Sequence, residues 1–343
     1  MLRKDNLFRA WGLLGNVIQA ADVGRWAFLG CVSMEYRSVV ALLQSREAVE
    51  ISDLLMFSIA DSSESRFFTE SMELTRAHRD LLLEKGVPRT AFREHELLEP
   101  FGDIQSAIDE FLDNCVGQNL MFDISSMPKK LFFFVVKRAM QRRCQFENII
   151  AVYSEPERYS NESLAENPQQ WSTLPGFDGP RRLPEPEKRR IVIAMGFEPL
   201  GLPDLVVQGE FADVKIHLLF PFPTPPDRIR KNWEFARDLF PEPTSSIQFR
   251  HVDGWNVPDV FDLLGTIGQA GQTQLTLAPY GPKPMSLAMA LYAGSHDNGS
   301  NATAVYYTQP TAYNPRYSTG VRTIGGQAGI HCYAIKRLGQ FLY

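Results

Sequence analysis

Short, dense apolar runs alternate along this chain with longer stretches whose apolar residues recur every three or four positions. The first kind reads as strands buried on both faces, the second as helices with one buried face. After an N-terminal helical stretch, "WAFLGCV" at 26–32 predicts a strand and "YRSVVALLQ" a helix. "DLLMFSIA", a helix over 65–85, "TAFREHEL", a helix over 103–115, "NLMFDI" and "NIIAVYS" continue the alternation. From Arg190 the same order returns: "RIVIAMGF", a helix at "DLVVQGEF", "VKIHLLFPF", a helix over 227–240, "SIQFRHV", a helix over 257–269, "TQLTLA" and "ATAVYYTQP". Strands that alternate with helices predict a parallel, doubly wound sheet. The expected fold is therefore α/β, with two tandem Rossmann-like parallel-sheet domains from an internal duplication. The expected boundaries are an N-terminal helix at 1–24, copy one at 25–160, a proline-rich linker at 161–189, copy two at 190–315, and a C-terminal extension at 316–343.

One segment is ambiguous by itself. In "FDISSMPKKLFFFVV", residues 122–136, six consecutive bulky apolar residues have strand propensity. The repeat decides it. Residues 123–160 lie over 277–314 without a gap, so Pro128-Lys129 falls on Pro282-Lys283, and "LFFFVVKRAM" falls on "MSLAMALYAG". Ala, Leu and Met favour helix, so both segments are expected to be helices that start at Pro-Lys. Tyr153 falls on Tyr307, and near the start of each copy Glu35 falls on Glu198.

In an open parallel sheet, ligands sit beyond the carboxyl ends of the strands, where strand order reverses. The loops there hold Glu35, Arg37, Asp123, Ser125, Ser126 and Lys129 in copy one, and Glu198, Gly281 and Lys283 in copy two. A helix start offers unpaired N–H groups and a positive dipole end. Serine hydroxyls and a lysine would add donors suited to phosphate. The same residues also serve as ordinary turn and cap groups, and Glu35 and Glu198 read equally as a base, a ribose contact or a backbone cap. No GxGxxG or GxxxxGK[ST] occurs, so a mononucleotide held by a glycine-rich loop is disfavoured and no cofactor is expected.

The pattern Asp123-x-Ser125-Ser126-x-x-Lys129 after the fourth strand resembles the ligand loop of CARF domains, and two such units in one chain resemble the fused pair of a SAVED domain. Copy two keeps only Gly281 and Lys283 of the pattern. The resemblance implies two lysine loops meeting across a pseudo-two-fold axis around a cyclic oligonucleotide, in prokaryotic antiviral defence. Effector domains common in that family have no counterpart of sufficient length here, so a partner protein chain is expected to carry the output. The alternatives are a metal-independent, ring-nuclease-like phosphodiesterase working in the same crevice, with catalytic residues unknown, and a purely structural scaffold subunit.

Bulk properties narrow the field further. The formal charge is −5, against a general nucleic-acid coat. The four cysteines form no CxxC pair, and no histidine lies in HxxxH or HExxH, so no metal site is expected. Without a good signal peptide or a long apolar run, the expected location is the cytoplasm, with no membrane contact.

Overall fold

The structure is a computed structural model, in which residues 7–19, 24–160, 162–196, 211, 214–224, 226–240, 246–297 and 302–343 are described. Glu198 and the helix expected at "DLVVQGEF", apart from Phe211, lie outside the described residues.

The chain forms two compact units, one of Phe8–Asn167 with Pro310–Leu342 and the other built on Pro168–Gln309. The first opens with β1 (Trp11–Leu13) and α1 (Leu14–Gln19). It continues with β2 (Trp26–Val32), α2 (Arg37–Ala48), β3 (Ile51–Ala60), α3 (Phe68–Glu84), β4 (Phe92–Glu96), α4 (Gly102–Asn114), β5 (Asn119–Asp123), α5 (Lys129–Gln141), β6 (Ile149–Ser154), β7 (Arg158–Tyr159) and β8 (Ala165–Pro168). The second unit contains β9 (Ser172–Asp178), β10 (Arg189–Ala194), β11 (Lys215–Phe222), α6 (Pro226–Leu239), β12 (Ile247–Asp253), α7 (Val257–Ile267), β13 (Gln274–Pro279), α8 (Lys283–Ser295) and β14 (Ala304–Tyr307). The chain then returns to the first unit with β15 (Pro310–Tyr313), β16 (Ser318–Thr319), β17 (Thr323–Ile324), β18 (Gln327–Ala328), β19 (Ile330–Arg337) and β20 (Gln340–Phe341).

The first sheet runs β1-β19-β6-β5-β2-β3-β4, and the second runs β12-β11-β10-β13-β14-β9. In each, five strands are parallel. Numbered within its own unit, each parallel set has the order 3-2-1-4-5. The central strands are apolar runs buried along their length, as in β2 and β13, because helices cover both faces of such a sheet. The outer strands β4 and β12 are largely exposed and rich in charged and polar residues, which blunts an open edge.

Each parallel set is closed on its fifth strand by an antiparallel strand from outside the alternation. In the first sheet this is β19, paired with β6, and in the second it is β9, paired with β14. The C-terminal extension is thus a structural strand of the first unit, and the proline-rich linker supplies a strand of the second. Phe177 on β9 is buried, and Trp171 before it packs edge-on against Tyr306 at 5.2 Å. The described part of the N-terminal stretch is shorter than the expected helix. β1 pairs with β19 and places Trp11 over Tyr333 at 6.2 Å, and only α1 is helical.

Leu131–Val136 is helical and buried inside α5. Burial on every side overrides the strand propensity of Phe and Val. The basic cluster on the outer face of α5 is paired with α4: Arg138 Nε donates to Asp109 at 2.6 Å and Arg142 Nε to Asp113 at 2.6 Å.

Ile335 is buried in β19. Ile335→Ala is expected to cost roughly 2–5 kcal/mol in urea unfolding of the full chain. A loss under about 0.5 kcal/mol, the usual size for a surface substitution, would show that packing of β19 does not stabilise the first sheet.

Candidate functional site

At the carboxyl end of β5 the sequence motif builds a turn. Asp123 Oδ1 accepts hydrogen bonds from the Ser125 backbone N–H at 2.8 Å and from the Ser125 hydroxyl. Short acidic side chains stabilise such turns by mimicking a backbone carbonyl. The Ser125 oxygen accepts in turn from the Ser154 N–H at 2.7 Å, which fastens the loop to the end of β6. Ser126 donates to the Cys31 carbonyl at 2.9 Å, which fastens it to the end of β2. Ser125 is fully enclosed, so the expectation that Ser125 and Ser126 point their hydroxyls at a ligand needs correction. Both hydroxyls frame the loop. The spacing Asp-x-Ser-Ser suits a phosphate cradle and a self-satisfied turn alike, and only the tertiary contacts separate the two.

Glu35 and Arg37 are also committed to one another. Ser33 at the end of β2 accepts from the Glu35 N–H at 3.2 Å and so aims the carboxylate inward. Arg37, at the start of α2, donates to both Glu35 oxygens at 3.0 and 2.8 Å. Its other arm reaches the Ser154 carbonyl at 3.4 Å, and its guanidinium lies 5.5 Å from the centre of the Tyr153 ring. Arg37 is only 8% exposed. Burial is the largest influence and alone would favour loss of its proton, but Glu35 together with Tyr153 and Tyr159 outweighs it and raises its pKa. The second partner of Glu35 is Ser318, whose hydroxyl donates to Oε1. Ser318 belongs to β16, which pairs with β7 over this end of the first sheet. Tyr153 and Tyr159 meet hydroxyl to hydroxyl at 3.2 Å, and Tyr317 packs edge-on against Tyr159 at 5.5 Å. The Tyr159 ring is exposed, but desolvation of its hydroxyl beside Tyr153 raises its pKa above the usual tyrosine value. The expected site residues Glu35, Arg37, Asp123 and Ser125 thus come together, but as one internally bonded network.

Lys129 occupies the first position of α5 and is buried, beside the half-buried Lys130, whose ammonium sits 5.0 Å from the centre of the Phe101 ring. Burial lowers the pKa of Lys130. Lys283 occupies the matching first position of α8, half-buried. The residues before them have nearly the same backbone: Pro128 at φ −54°, ψ 145° and Pro282 at φ −52°, ψ 151°. Both helices are 13 residues long, and Lys129 to Lys283 and Gln141 to Ser295 are both 154 residues apart.

The second unit closes the same junction with different groups. Tyr280 donates or accepts at Thr308 Oγ1 over 2.9 Å, joining the loop after β13 to the end of β14, and burial pushes its pKa up to about 12. Gly196 at the end of β10 lies so close that a Cβ there would meet the Tyr280 carbonyl oxygen at 2.1 Å. Gly281, expected to line a ligand, is buried against Ala194 and Met195, where a Cβ would meet Ala194 Cβ at 3.0 Å. It serves close packing of the two loops.

The sequence missed Ser154, Thr308, Ser318 and Glu155. Ser154 and Thr308 are hydroxyl residues separated by the same 154 positions as Lys129 and Lys283, which was a readable signal. Glu155 accepts from Arg322 at 2.7 Å and contacts His331 at 3.0 Å. Burial would raise its pKa, but these two partners outweigh that and hold it below the usual carboxylate range. Among the described residues, no group of three or more His, Cys, Asp or Glu is placed to hold a metal ion, and no helix is long and apolar enough to cross a membrane.

Two carboxylates of the first unit give stability predictions. Glu35→Ala leaves the Arg37 charge buried without its carboxylate and is expected to cost roughly 3–5 kcal/mol by urea unfolding; a carboxylate that only met ligand would cost almost nothing. Asp61, just past β3, is pushed up to about 6 by burial, opposed by the Tyr313 backbone N–H. The unfolded carboxyl therefore ionises first, and stability falls as pH rises from about 4 to about 6, by at most roughly 3 kcal/mol. Asp61→Asn should stabilise the chain relative to wild type more at about pH 7 than at about pH 4. An equal difference at both values would refute this account of Asp61.

No family model matches the chain, and no curated protein matches it. Among solved structures the chain is similar to a universal stress protein from Archaeoglobus fulgidus DSM 4304, at 10% identity, covering 83% of this chain and 96% of that one with a TM-score of 0.23. It is also similar to a functionally unknown protein from Pseudomonas aeruginosa PAO1, at 8% identity, covering 83% and 92% with a TM-score of 0.23. The chain is a Rossmann-like α/β protein, on the evidence of its own parallel pairing.

Proposed function

We propose that this chain is a nucleotide sensor of CARF or SAVED type, with two Rossmann-like units descended from one ancestral unit. In this reading each unit offers one lysine-bearing helix start to a phosphate of a cyclic oligonucleotide signal, and binding is passed to a partner protein chain in cytoplasmic antiviral defence. The observation that carries the proposal is the Pro-Lys helix start after the fourth strand of both units, kept with matching backbone angles and helix bounds. The shared strand order supports common descent. Lys129 and Lys283 are the residues proposed to meet phosphate, with the dipole ends of α5 and α8 behind them. Asp123, Ser125 and Ser126 shape the first loop, and Gly281 shapes the second. Glu35 and Arg37 fix the neighbouring turn.

The test is a panel of cyclic oligonucleotides, followed by melting temperature and by recovery of the ligand. One member is expected to raise Tm and to be recovered intact, because a ligand that binds only the folded state stabilises it. Lys129→Ala and Lys283→Ala should each weaken that ligand roughly 10- to 100-fold, the value of one charge-assisted hydrogen bond. An undiminished shift in both variants defeats the site assignment. Loss of the ligand during incubation would instead indicate a phosphodiesterase.

A further inference from the structure

A second cationic group sits away from the carboxyl ends of the strands. In the second sheet, Arg190 on β10 pairs with Lys215 on β11, His217 on β11 pairs with Gln248 on β12, and Leu219 pairs with Arg250. Side chains alternate faces along a strand, so this register puts Arg190, Lys215, His217, Gln248 and Arg250 on one face at the open edge of the sheet. Lys215, Gln248 and Arg250 are exposed, whereas His217 is only 5% exposed.

Among the described residues, no acid neutralises the group. Arg190 donates to the carbonyls of Glu187 and Arg189 at 2.7 and 2.6 Å, and Arg250 reaches only the Gln248 side chain at 3.4 Å. Among the described residues, none of Arg190, Lys215 and Arg250 forms an ion pair with a carboxylate. The Nδ1 of His217 is buried and has no hydrogen-bond partner. Burial, with the fields of Arg250, Arg190 and Lys215, pushes His217 down to about 4 and keeps it neutral at ordinary pH. On the face of His217 the helix that packs on β12 is α7, whereas α6 packs Trp233 against Phe249 and His251 on the opposite face. Helix α7 carries Asp259, which is bonded to Asn256, and Asp262, and neither is among the charges that reach His217.

Three cations gathered with no counter-charge among the described residues, in a chain of net charge −5, beside an enclosed imidazole nitrogen with nothing to bond, lack one component. A buried polar atom left unpaired is costly, and like charges repel unless something answers them. An oxyanion resolves both deficits. We propose that this edge of the second sheet binds a phosphate group, with Lys215 and Arg250 neutralising it from the rim, Arg190 adding to the field, and His217 donating from Nδ1. The phosphate reverses the local field, so His217 takes up a proton as the ligand binds. Binding therefore tightens as pH falls towards the range where the imidazole charges. This site is independent of Lys129 and Lys283, and it takes one phosphate by contact with β10, β11 and β12.

Inorganic phosphate is the first probe, titrated calorimetrically into the full chain, with sulfate beside it because the sulfate charge is constant over the pH range used. Sulfate binding is expected to be roughly tenfold tighter at about pH 5.5 than at about pH 7.5, and the His217 ring resonances should titrate at higher pH when the anion is present. Arg250→Gln and Lys215→Gln, both at exposed positions, should each weaken binding roughly tenfold or more. His217→Gln should flatten the pH dependence. Lys129→Ala and Lys283→Ala should leave all of this unchanged, which separates failure of this site from failure of the proposed sensor loops. AMP and a short single-stranded oligonucleotide then tell a phosphate monoester from a diester as the natural source, and binding of either supports the site. Absence of binding by any of these anions at millimolar concentration overturns the proposal. So does binding unaltered in the Arg250→Gln, Lys215→Gln double variant, or a His217 titration indifferent to the anion.

Discussion

The carboxyl ends of the parallel strands are where this chain has most to satisfy. Each strand there must turn out of the sheet, and its last polar groups are enclosed by helices on both sides, beyond the reach of water. A buried donor or acceptor left unpaired costs more than the bond it would have made. The first unit answers with a connected network. Asp123 holds Ser125, Ser125 holds the Ser154 N–H, and Arg37 links the Ser154 carbonyl to Glu35. Remove one member and its neighbour becomes an uncompensated buried group, so the network behaves as a unit.

That constraint shapes what the crevice can offer a ligand. The serines and the acidic residues of the first loop are engaged with the protein itself, so the loop is held rigid. Rigid presentation is what a charged donor at a helix start needs, because a pre-organised group loses little freedom on binding. The division of labour is then clear. The short polar side chains determine where α5 begins, and the lysine at its first position is the candidate contact. The second unit reaches the same geometry by other means. A tyrosine–threonine hydrogen bond and two closely packed glycines replace the Asp-Ser-Ser turn, yet Pro282 takes up nearly the same backbone angles as Pro128. Two different sets of contacts thus arrive at one backbone geometry for the helix start.

The edges of the two sheets obey a related rule. A parallel sheet leaves unpaired N–H and C=O groups along its outer strands. Both units cover the fifth strand with an antiparallel one, β19 in the first sheet and β9 in the second, and leave the third strand open. The open edges are dressed with charge, and on β12 that charge is entirely positive on the face shared with His217. An open edge carrying cations that no described acid neutralises is the surface proposed above to meet an anion.

Much of this was legible in the order of residues. The alternation of strands and helices is a local property, since a strand's period of two and a helix's period of about four depend on near neighbours. Laid over Leu131–Val136 at an offset of 154 residues, "MSLAMALYAG" consists mostly of helix formers, and that comparison pointed to a helix. The placement of Lys129 and Lys283 followed from the same comparison. Other features depended on pairings that no local pattern records. Ser318 meets Glu35 across 283 residues of chain, β19 crosses back to lie beside β6, and the face that encloses His217 is assembled from three strands. The direction of the Ser125 hydroxyl was equally hidden, because a turn that satisfies itself and a turn that greets a ligand use the same letters. Periodicity reveals which residues share a face of one element; only the closing of the chain on itself decides which faces meet, and hence which polar groups are already satisfied.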